Sequence, residues 1–445
     1  MIYRVSQDTE MTLETLTKWI NRHKATVANK DRPLQNAYEN KYAIFDQEAK
    51  ASGKPDNRIA INFAKYITDT FNGFFCGIPA KVTSEDENVQ EYVDYLNKSN
   101  DGDNTDAELS KNTDITGSSF EMYYVRDDGE IGITYLTSLE SFMLVDDSIL
   151  ERPMYFVRYY VDPDGLEHGS YSDSKIVRHF VKDGDYKWDD EPQLHGFEYV
   201  PAVEYIANTE RMGLYQSAMS AIDAYNKALS EKANDVDYFA DAYMKIIGPK
   251  VDDTDTAVIR NNRIVNFVGD LSDGNSPIVE FMQRPSADEA QENLLNRLLR
   301  DIFIESMVAN IADENFGATG YSTTSGIALK FKMEAMNNLF TSKARRFTSS
   351  MMDRYRIIFS NPIAQMNGVS KDDWTLINIK FTQNYPANLE SEAEVAKALE
   401  GIVSKETQLK VLSLVDNIKD EVERLETEQT TSVVDNLWSD ITQQG

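Results

Sequence analysis

The sequence has one cysteine, Cys76, so no disulfide can form within the chain and no thiolate cluster can hold zinc. Cys76 lies in the apolar run FNGFFCGIP and reads as a small buried hydrophobe, not a nucleophile. Histidine is nearly as scarce: His23, His168, His179 and His195 complete the set. None is paired at i,i+4 as a helical metal site requires, and His168 and His195 stand beside glycines in turn-like contexts. All four read as structural or surface side chains, and no metal or cofactor is expected.

No run approaches the ~18 uninterrupted apolar residues that a membrane span needs. The opening MIYRVSQDTEMTLETL lacks a basic-then-apolar leader, so export is not expected either. Basic residues are outnumbered, 45 Lys and Arg against 74 Asp and Glu, for a net charge of -29. Such a chain does not grip nucleic acid through its overall field. A surface past which DNA slides without sticking remains compatible with that charge.

What is present is globular. The 445 residues are 41% hydrophobic and 11% aromatic, enough for two to four packed regions. DTEMTLETLTKWINRHK predicts a capped helix, and NRIAINFAKYITDTFNGFF a second one with Ile59, Phe63, Ile67 and Phe71 on one face. AKVTS reads as a strand and ENVQEYVDYLNKSN as a short helix. NDGDNTDAE lacks the glycine and terminal glutamate of a calcium loop at the right spacing and reads as a solvated turn. From Gly117 the period becomes two, with a hairpin turning at Asp127-Asp128-Gly129 and then a meander with Asp-Gly turns.

After residue 210 the pattern changes. Tyr215, Ala218, Ile222, Tyr225, Leu229, Ala233, Val236, Ala240, Tyr243 and Ile247 form one apolar stripe, predicting a helix about 50 Å long that stops at Gly248-Pro249. PKV, RIVNFVG and PIVEFMQ then read as short strands. A helix capped by Ser286 runs back through Leu295, Leu298 and Ile302. A third long helix carries Leu329, Met333, Met336, Phe340, Phe347, Met351, Tyr355 and Ile358, and ends before Asn361-Pro362. A strand, WTLINIKFTQN, two helices split at Gly401 and an acidic helical tail follow.

Between the second and third long helices lies NFGATGYSTTSGIALKFKMEAM. A phosphate-binding loop needs Lys then Ser or Thr directly after its last glycine and a strand before it. Here Ile327 follows Gly326, the first lysine is Lys330, and a helix precedes, so the phosphate reading fails. The segment exceeds the usual 2–8 residues of a bundle connection. It reads as a mobile loop on a rigid helical mount, with Ser325 capping the helix that follows.

Four stretches in order carry a family resemblance: NFAKYITDTFNGFFCGIPAKV; HGFEYVPAVEYIANTE; SAIDAYNKALSEKANDVDYFADAYMKIIG, with Asp223, Ala224, Tyr225, Asn226 and Ser230; and FTQNYPANLESEAEVAKALEGIVSKETQLKVL. Together they resemble the SPP1-type portal proteins of tailed bacteriophages over almost the whole chain. The resemblance implies an α+β subunit of a cyclic oligomer of about a dozen copies. Its parts would be a mixed α/β wing (1–210), stem helix 1 (211–248), a β-rich clip (249–285), stem helix 2 (286–312), a tunnel loop (313–325), a kinked long wing helix and strand (326–388), and a helical crown and tail (389–445).

The implied function is a non-enzymatic channel at one capsid vertex, through which double-stranded DNA is packaged and ejected. Its implied partners are further copies of itself, the terminase large subunit, the major capsid and scaffolding proteins and a head-completion adaptor, with assembly in the host cytoplasm and residence in the virion. The tunnel loop would use Asp313, Glu314, Asn315, Gly317, Thr319, Gly320, Tyr321 and Gly326. Lys330 and Lys332 read either as phosphate contacts or as solvated or interface-paired lysines. Arg345 and Arg346 carry the same ambiguity, with intersubunit ion pairs leading. The clip would dock motor and adaptor through Arg260, Arg263, Asp270, Ile278, Val279 and Phe281. Ile222, Tyr225, Leu229, Val236, Leu295, Leu298 and Ile302 would pack the stem. Two other readings stand beside it: a helical scaffold or adaptor without a channel, and a metal-dependent nuclease, for which no carboxylate spacing rises above the acidic background.

Overall fold

The computed structural model describes residues 2–51, 54–240, 244–247, 278–281, 288–312, 333–385, 389–412, 415, 421–425 and 427. Residues 1–310 with 335–381 make one unit, and 311–334 with 382–445 make a second.

In the first unit β1 (Tyr3–Val5) leads into a helical run of α1 (Leu13–Thr26), a π turn (Val27–Asp31) and α2 (Arg32–Tyr38). Thr12 caps α1 by accepting the Thr15 N–H at 3.2 Å. Leu16, Trp19, Ile20 and His23, three and four apart, are its buried face. The π turn directly precedes Pro33, which has no N–H for a regular helix and whose ring would crowd the turn before it.

Next come α3 (Phe63–Cys76), β2 (Lys81–Ser84), α4 (Glu87–Ser99) and α5 (Gly102–Thr116). Two sequence expectations change here. The helix begins at Phe63, so Ile59 is not on it and is 36% exposed. The supposed solvated turn is the start of α5, whose buried positions include Thr105, Ser110, Asn112, Thr113, Asp114 and Thr116. A helix buried through polar side chains leaves no apolar stripe to detect. It ends at Gly117, where φ is 92° and a Cβ would stand 2.2 Å from the Arg211 backbone, so only glycine fits.

The meander expected from the Asp-Gly turns is present. The hairpin β3 (Ser118–Val125) and β4 (Ile131–Thr137) turns through Gly129 at φ 83°, and β11 (Ala202–Ile206) joins β3 to complete a three-stranded sheet. The larger sheet runs β1, β5 (Ser141–Asp146), β6 (Pro153–Val161), β7 (Glu167–Ser172), β8 (Ile176–Asp183), β10 (Gln193–Leu194), with β9 (Asp185–Trp188) also on β8. His168 therefore lies in a strand, not a turn.

One face of the larger sheet buries Phe142, Leu144, Val157 and Phe180 against Leu16, Trp19 and Ile20 of α1. The other face meets the small sheet through Phe120, Met143, Phe156, Val200 and Ala202. This inter-sheet core is flanked by two clefts: one of about 640 Å³ beside β1 and β5, and one of about 580 Å³ beside β7, β8 and β10.

Two longer helices, α6 (Met219–Ala240) and α7 (Asp288–Ser306), follow, with β12 (Met244–Ile247) and β13 (Ile278–Phe281) between them in sequence. The helix expected to run to Ile247 thus ends at Ala240, and Met244–Ile247 is a strand paired antiparallel with β13. Main-chain pairing with Ile278–Phe281 outweighs the helical stripe there. Of the three short strands expected, PIVEFMQ yields β13, while PKV and RIVNFVG lie outside the described residues, as do Gly248, Pro249 and Ser286.

The third long helix, α8 (Glu334–Phe359), buries Met336, Phe340, Phe347, Met351, Tyr355 and Ile358 as expected. It is followed by α9 (Pro362–Met366) and by β14 (Ile377–Lys380), which pairs with β2. In the second unit, α10 (Leu389–Ala398) and α11 (Lys405–Leu409) are separated by a bend containing Gly401 at φ 76°. The Gln408 side-chain amide ties the two by donating to the Ala396 carbonyl at 2.7 Å.

Candidate functional site

The paired helices α6 and α7 are held by polar contacts that fix their antiparallel register. Ser217 Oγ donates to the Glu305 carbonyl at 3.1 Å, Lys232 pairs with Glu292, and Gln291 Nε2 donates to Asp235 Oδ2 at 3.0 Å. Within one chain Ile222, Leu295 and Ile302 are already buried, while Tyr225, Leu229 and Leu298 are half-buried. The apolar surface left open consists of Val236, Leu294 and Ile304, at 58%, 49% and 57% exposure. Of the seven stem positions picked from the stripe, Val236 alone is exposed; Leu294 and Ile304 were passed over because they stand beside the stripe, not on it.

An extended strap, residues 57–61, runs along α6 in the opposite direction. Asn226 Oδ1 accepts the Ile61 N–H at 2.9 Å, Ser230 Oγ the Ile59 N–H at 2.9 Å, and Asn234 Oδ1 the Asn57 N–H at 2.6 Å. The one Ser230 hydroxyl hydrogen is shared between the Asn226 carbonyl at 2.8 Å and the Ile59 carbonyl at 3.1 Å. These bonds explain why the Ile59 region is not helical: its alternate N–H groups are already taken. Asn226 and Ser230, quoted above for the family resemblance, are thus the residues that hold the strap.

The segment between α7 and α8 runs into a helix anchored by two buried cations. Lys343 Nζ lies 2.7 Å from both Asp114 oxygens and 2.8 Å from Ser110 Oγ, with the rings of Phe71, Phe75 and Phe347 around it at 5.3, 4.6 and 5.1 Å. Burial pushes the Asp114 carboxyl up to about 6, against the opposing pull of Lys343. Three turns on, Arg354 Nε donates to Glu121 Oε2 at 2.8 Å and its Nη2 pairs with Asp106. Tyr123 and Tyr205 donate to the same Glu121 oxygen at 2.7 and 3.0 Å. Burial alone would lower the Arg354 pKa, but Asp106 and Glu121 hold it well above its ordinary value. Neither anchor was identified from sequence, because a lysine and an arginine on a helix ordinarily read as its solvated face.

Arg345 Nε donates to the Thr341 carbonyl at 3.3 Å and Arg346 Nη2 to Thr209 Oγ1 at 2.8 Å, and neither forms an ion pair among the described residues. Ile278, Val279 and Phe281 lie on β13, in register with Ile247, Ile246 and Met244. Asp313, Glu314, Asn315, Gly317, Thr319, Gly320, Tyr321, Ser325, Gly326, Lys330, Lys332, Arg260, Arg263 and Asp270 lie outside the described residues.

The histidines have structural partners. His23 is buried with Nδ1 2.8 Å from Tyr159 Oη, His168 and His179 pair with Asp162 and Asp190, and His195 Nε2 is 3.0 Å from the Asp173 carbonyl. Cys76 is half-buried, not fully enclosed, and burial pushes its thiol up to about 11. Among the described residues no group of three or more His, Cys, Asp and Glu is placed to hold a metal ion, and no helix is long and apolar enough to cross a membrane.

A family model described as phage portal protein, SPP1 Gp6-like, matches residues 17–434. The portal protein of Bacillus phage SPP1 is 21% identical over 434 residues, spanning 90% of this chain and 82% of that relative. The portal protein of Clostridium phage phiCD119 is 25% identical over 239 residues, spanning 53% of this chain and 49% of that one. Among solved structures, a chain in the neck of an empty GTA particle, computed with C6 symmetry, aligns with a TM-score of 0.48 and 13% identity over 80% of this chain and 90% of that chain. The chain belongs to the phage portal protein family, SPP1 Gp6-like.

Proposed function

We propose that copies of this chain close into a ring of about a dozen at one capsid vertex and that double-stranded DNA passes along its axis during packaging and ejection. The observation that carries this reading, beside the family match, is the open stem surface. Val236, Leu294 and Ile304, spaced along two antiparallel helices, are apolar side chains that one chain leaves uncovered. Heterologous contacts that repeat by rotation close into rings, and a neighbouring copy is the occupant such side chains need.

In this reading α6 and α7 are the stem, and β12 and β13 begin the clip, where the terminase large subunit docks during packaging and a head-completion adaptor afterwards. Major capsid and scaffolding proteins surround the wing. Residues 313–325 supply the tunnel loop, with α8 as its mount through Lys343 and Arg354. The subunit performs no chemistry of its own, and its acidic excess keeps passing phosphates from sticking.

Two measurements test the reading. Negative-stain images and solution mass of purified protein should show a ring with a central hole; a monodisperse compact monomer at high concentration defeats it. Shortening the chain between Asn315 and Thr324 should leave rings intact and reduce DNA packaging or retention. Loss of folding in that variant makes the segment a structural element instead.

A further inference from the structure

The turn between β5 and β6 exposes two aliphatic side chains on a rigid support. Ile149 is 98% and Leu150 64% exposed. Beneath them Asp146 Oδ1 accepts from Ser148 N at 3.2 Å, Ser148 Oγ at 2.6 Å and Arg152 N at 2.9 Å, and the Asp146 N–H returns a bond to the Arg152 carbonyl at 2.9 Å. Arg4 Nε adds a bond to Glu151 Oε1 at 2.9 Å. These bonds fix the base of the turn; Ile149 at its tip is almost fully exposed, while Leu150 also borders the cleft of about 640 Å³.

Between β6–β10 of the same sheet and the β3–β4 hairpin lies the cleft of about 580 Å³. Its lips include Tyr124, Val125 and Leu194, exposed at 41%, 43% and 83%, and Arg158 lies within it. Across the strand order β1-β5-β6-β7-β8-β10 the far lip of the cleft, Leu194 on β10, is four strand spacings or about 19 Å from β5, while Arg158 lies on β6, six positions beyond Arg152 of the knob. Knob and cleft are therefore different patches of one copy, as a heterologous contact requires.

Charge fits as well. Asp147 on the knob is exposed and forms no ion pair among the described residues. Arg158 in the cleft spends its Nε on Ser170 Oγ at 3.1 Å and forms no ion pair among the described residues, although its charge acts on the Glu140 carboxyl.

We infer that the β5–β6 turn of one subunit seats in the inter-sheet cleft of the next, with Ile149 and Leu150 against Tyr124, Val125 and Leu194 and with Asp147 meeting Arg158. The inference rests on the ring reading above and adds to it a second subunit contact, in the wing, independent of the stem.

The test uses the full chain with Cys76→Ala and cysteines introduced at the exposed positions, Ile149→Cys and Leu194→Cys, which spares the core. Oxidation of assembled rings carrying both should convert the monomer band into a ladder of cross-linked subunits, because a disulfide forms only when Cα atoms come within about 7 Å. Rings mixed from the two single-cysteine chains should give dimers only, and each single-cysteine ring none. In parallel Asp147→Arg and Arg158→Asp should each lower ring yield, and the two together should restore it.

Rings that form but do not cross-link overturn this contact and leave the ring reading standing. Dimers from Ile149→Cys alone, or protection of Ile149 only after capsid protein is added, also overturn it by naming a different occupant. A chain that never assembles overturns both.

Discussion

The Lys343 ammonium lies 2.7 Å from both carboxylate oxygens of Asp114, and solvent reaches only 2% and 1% of the two side chains. The bond joins α8 to α5, the helix whose buried face is polar. Desolvating two charges is expensive, so a buried pair is poor evidence of net stability, but breaking one strands an uncompensated charge. Lys343→Met should cost about 3–5 kcal/mol. Adding Asp114→Asn should recover part of that loss, because the removed partners shared one interaction. Urea denaturation of the two single variants and the double checks it; a loss in the double equal to the sum of the two single losses would show the pair to be uncoupled.

The strap along α6 predicts local costs. Ser230→Ala leaves the Ile59 N–H without its partner, and Asn226→Ala does the same to the Ile61 N–H. Each loss should cost about 1–3 kcal/mol. Amide exchange should accelerate at Ile59 and Ile61 before it does in the sheets.

His23 predicts an acid effect. Burial lowers its pKa from 6.5 to about 4, so between those values the unfolded chain binds a proton that the folded chain does not. Stability from this residue is therefore complete above pH 6.5 and falls as pH drops toward 4, by about 2 kcal/mol between pH 7 and 5. Asp114, raised from 3.8 to about 6, acts in the opposite sense over that range. The comparison is consequently between parent and His23→Gln, whose unfolding free energy should fall less on acidification.

The open stem surface predicts separation of folding from assembly. Glutamate at Val236, Leu294 or Ile304 should leave monomer unfolding within about 0.5 kcal/mol of the parent, as exposed substitutions usually do. Ring mass by sedimentation should drop sharply. Intact rings from all three variants would place the subunit contact elsewhere.

The two-residue alternation of the meander and its Asp-Gly turns was legible, because successive side chains of a strand point to opposite faces of the sheet and glycine supplies the left-handed turn conformation. The stripe of α8 was legible for the corresponding helical reason. Three features were not. α5 is buried through threonine, serine, asparagine and aspartate, and polarity in sequence reads as solvent. The Ile59 segment has helical spacing but gives its N–H groups to Asn226, Ser230 and Asn234, positions remote in sequence. Lys343 and Arg354 looked like surface charge until Asp114, Glu121 and Asp106 were set opposite them. In each case a long-range polar partner overrode the local pattern.

The strap and α6 work as a vernier. Four helical residues advance about 6 Å, whereas two extended residues advance about 6.6–6.8 Å, so each rung slips by roughly 0.7 Å. Side-chain reach absorbs that over three rungs, and a fourth would fall at Pro55, which has no N–H to offer. The scale therefore reads true at one setting, and sliding the strap by a single residue would misalign every mark at once.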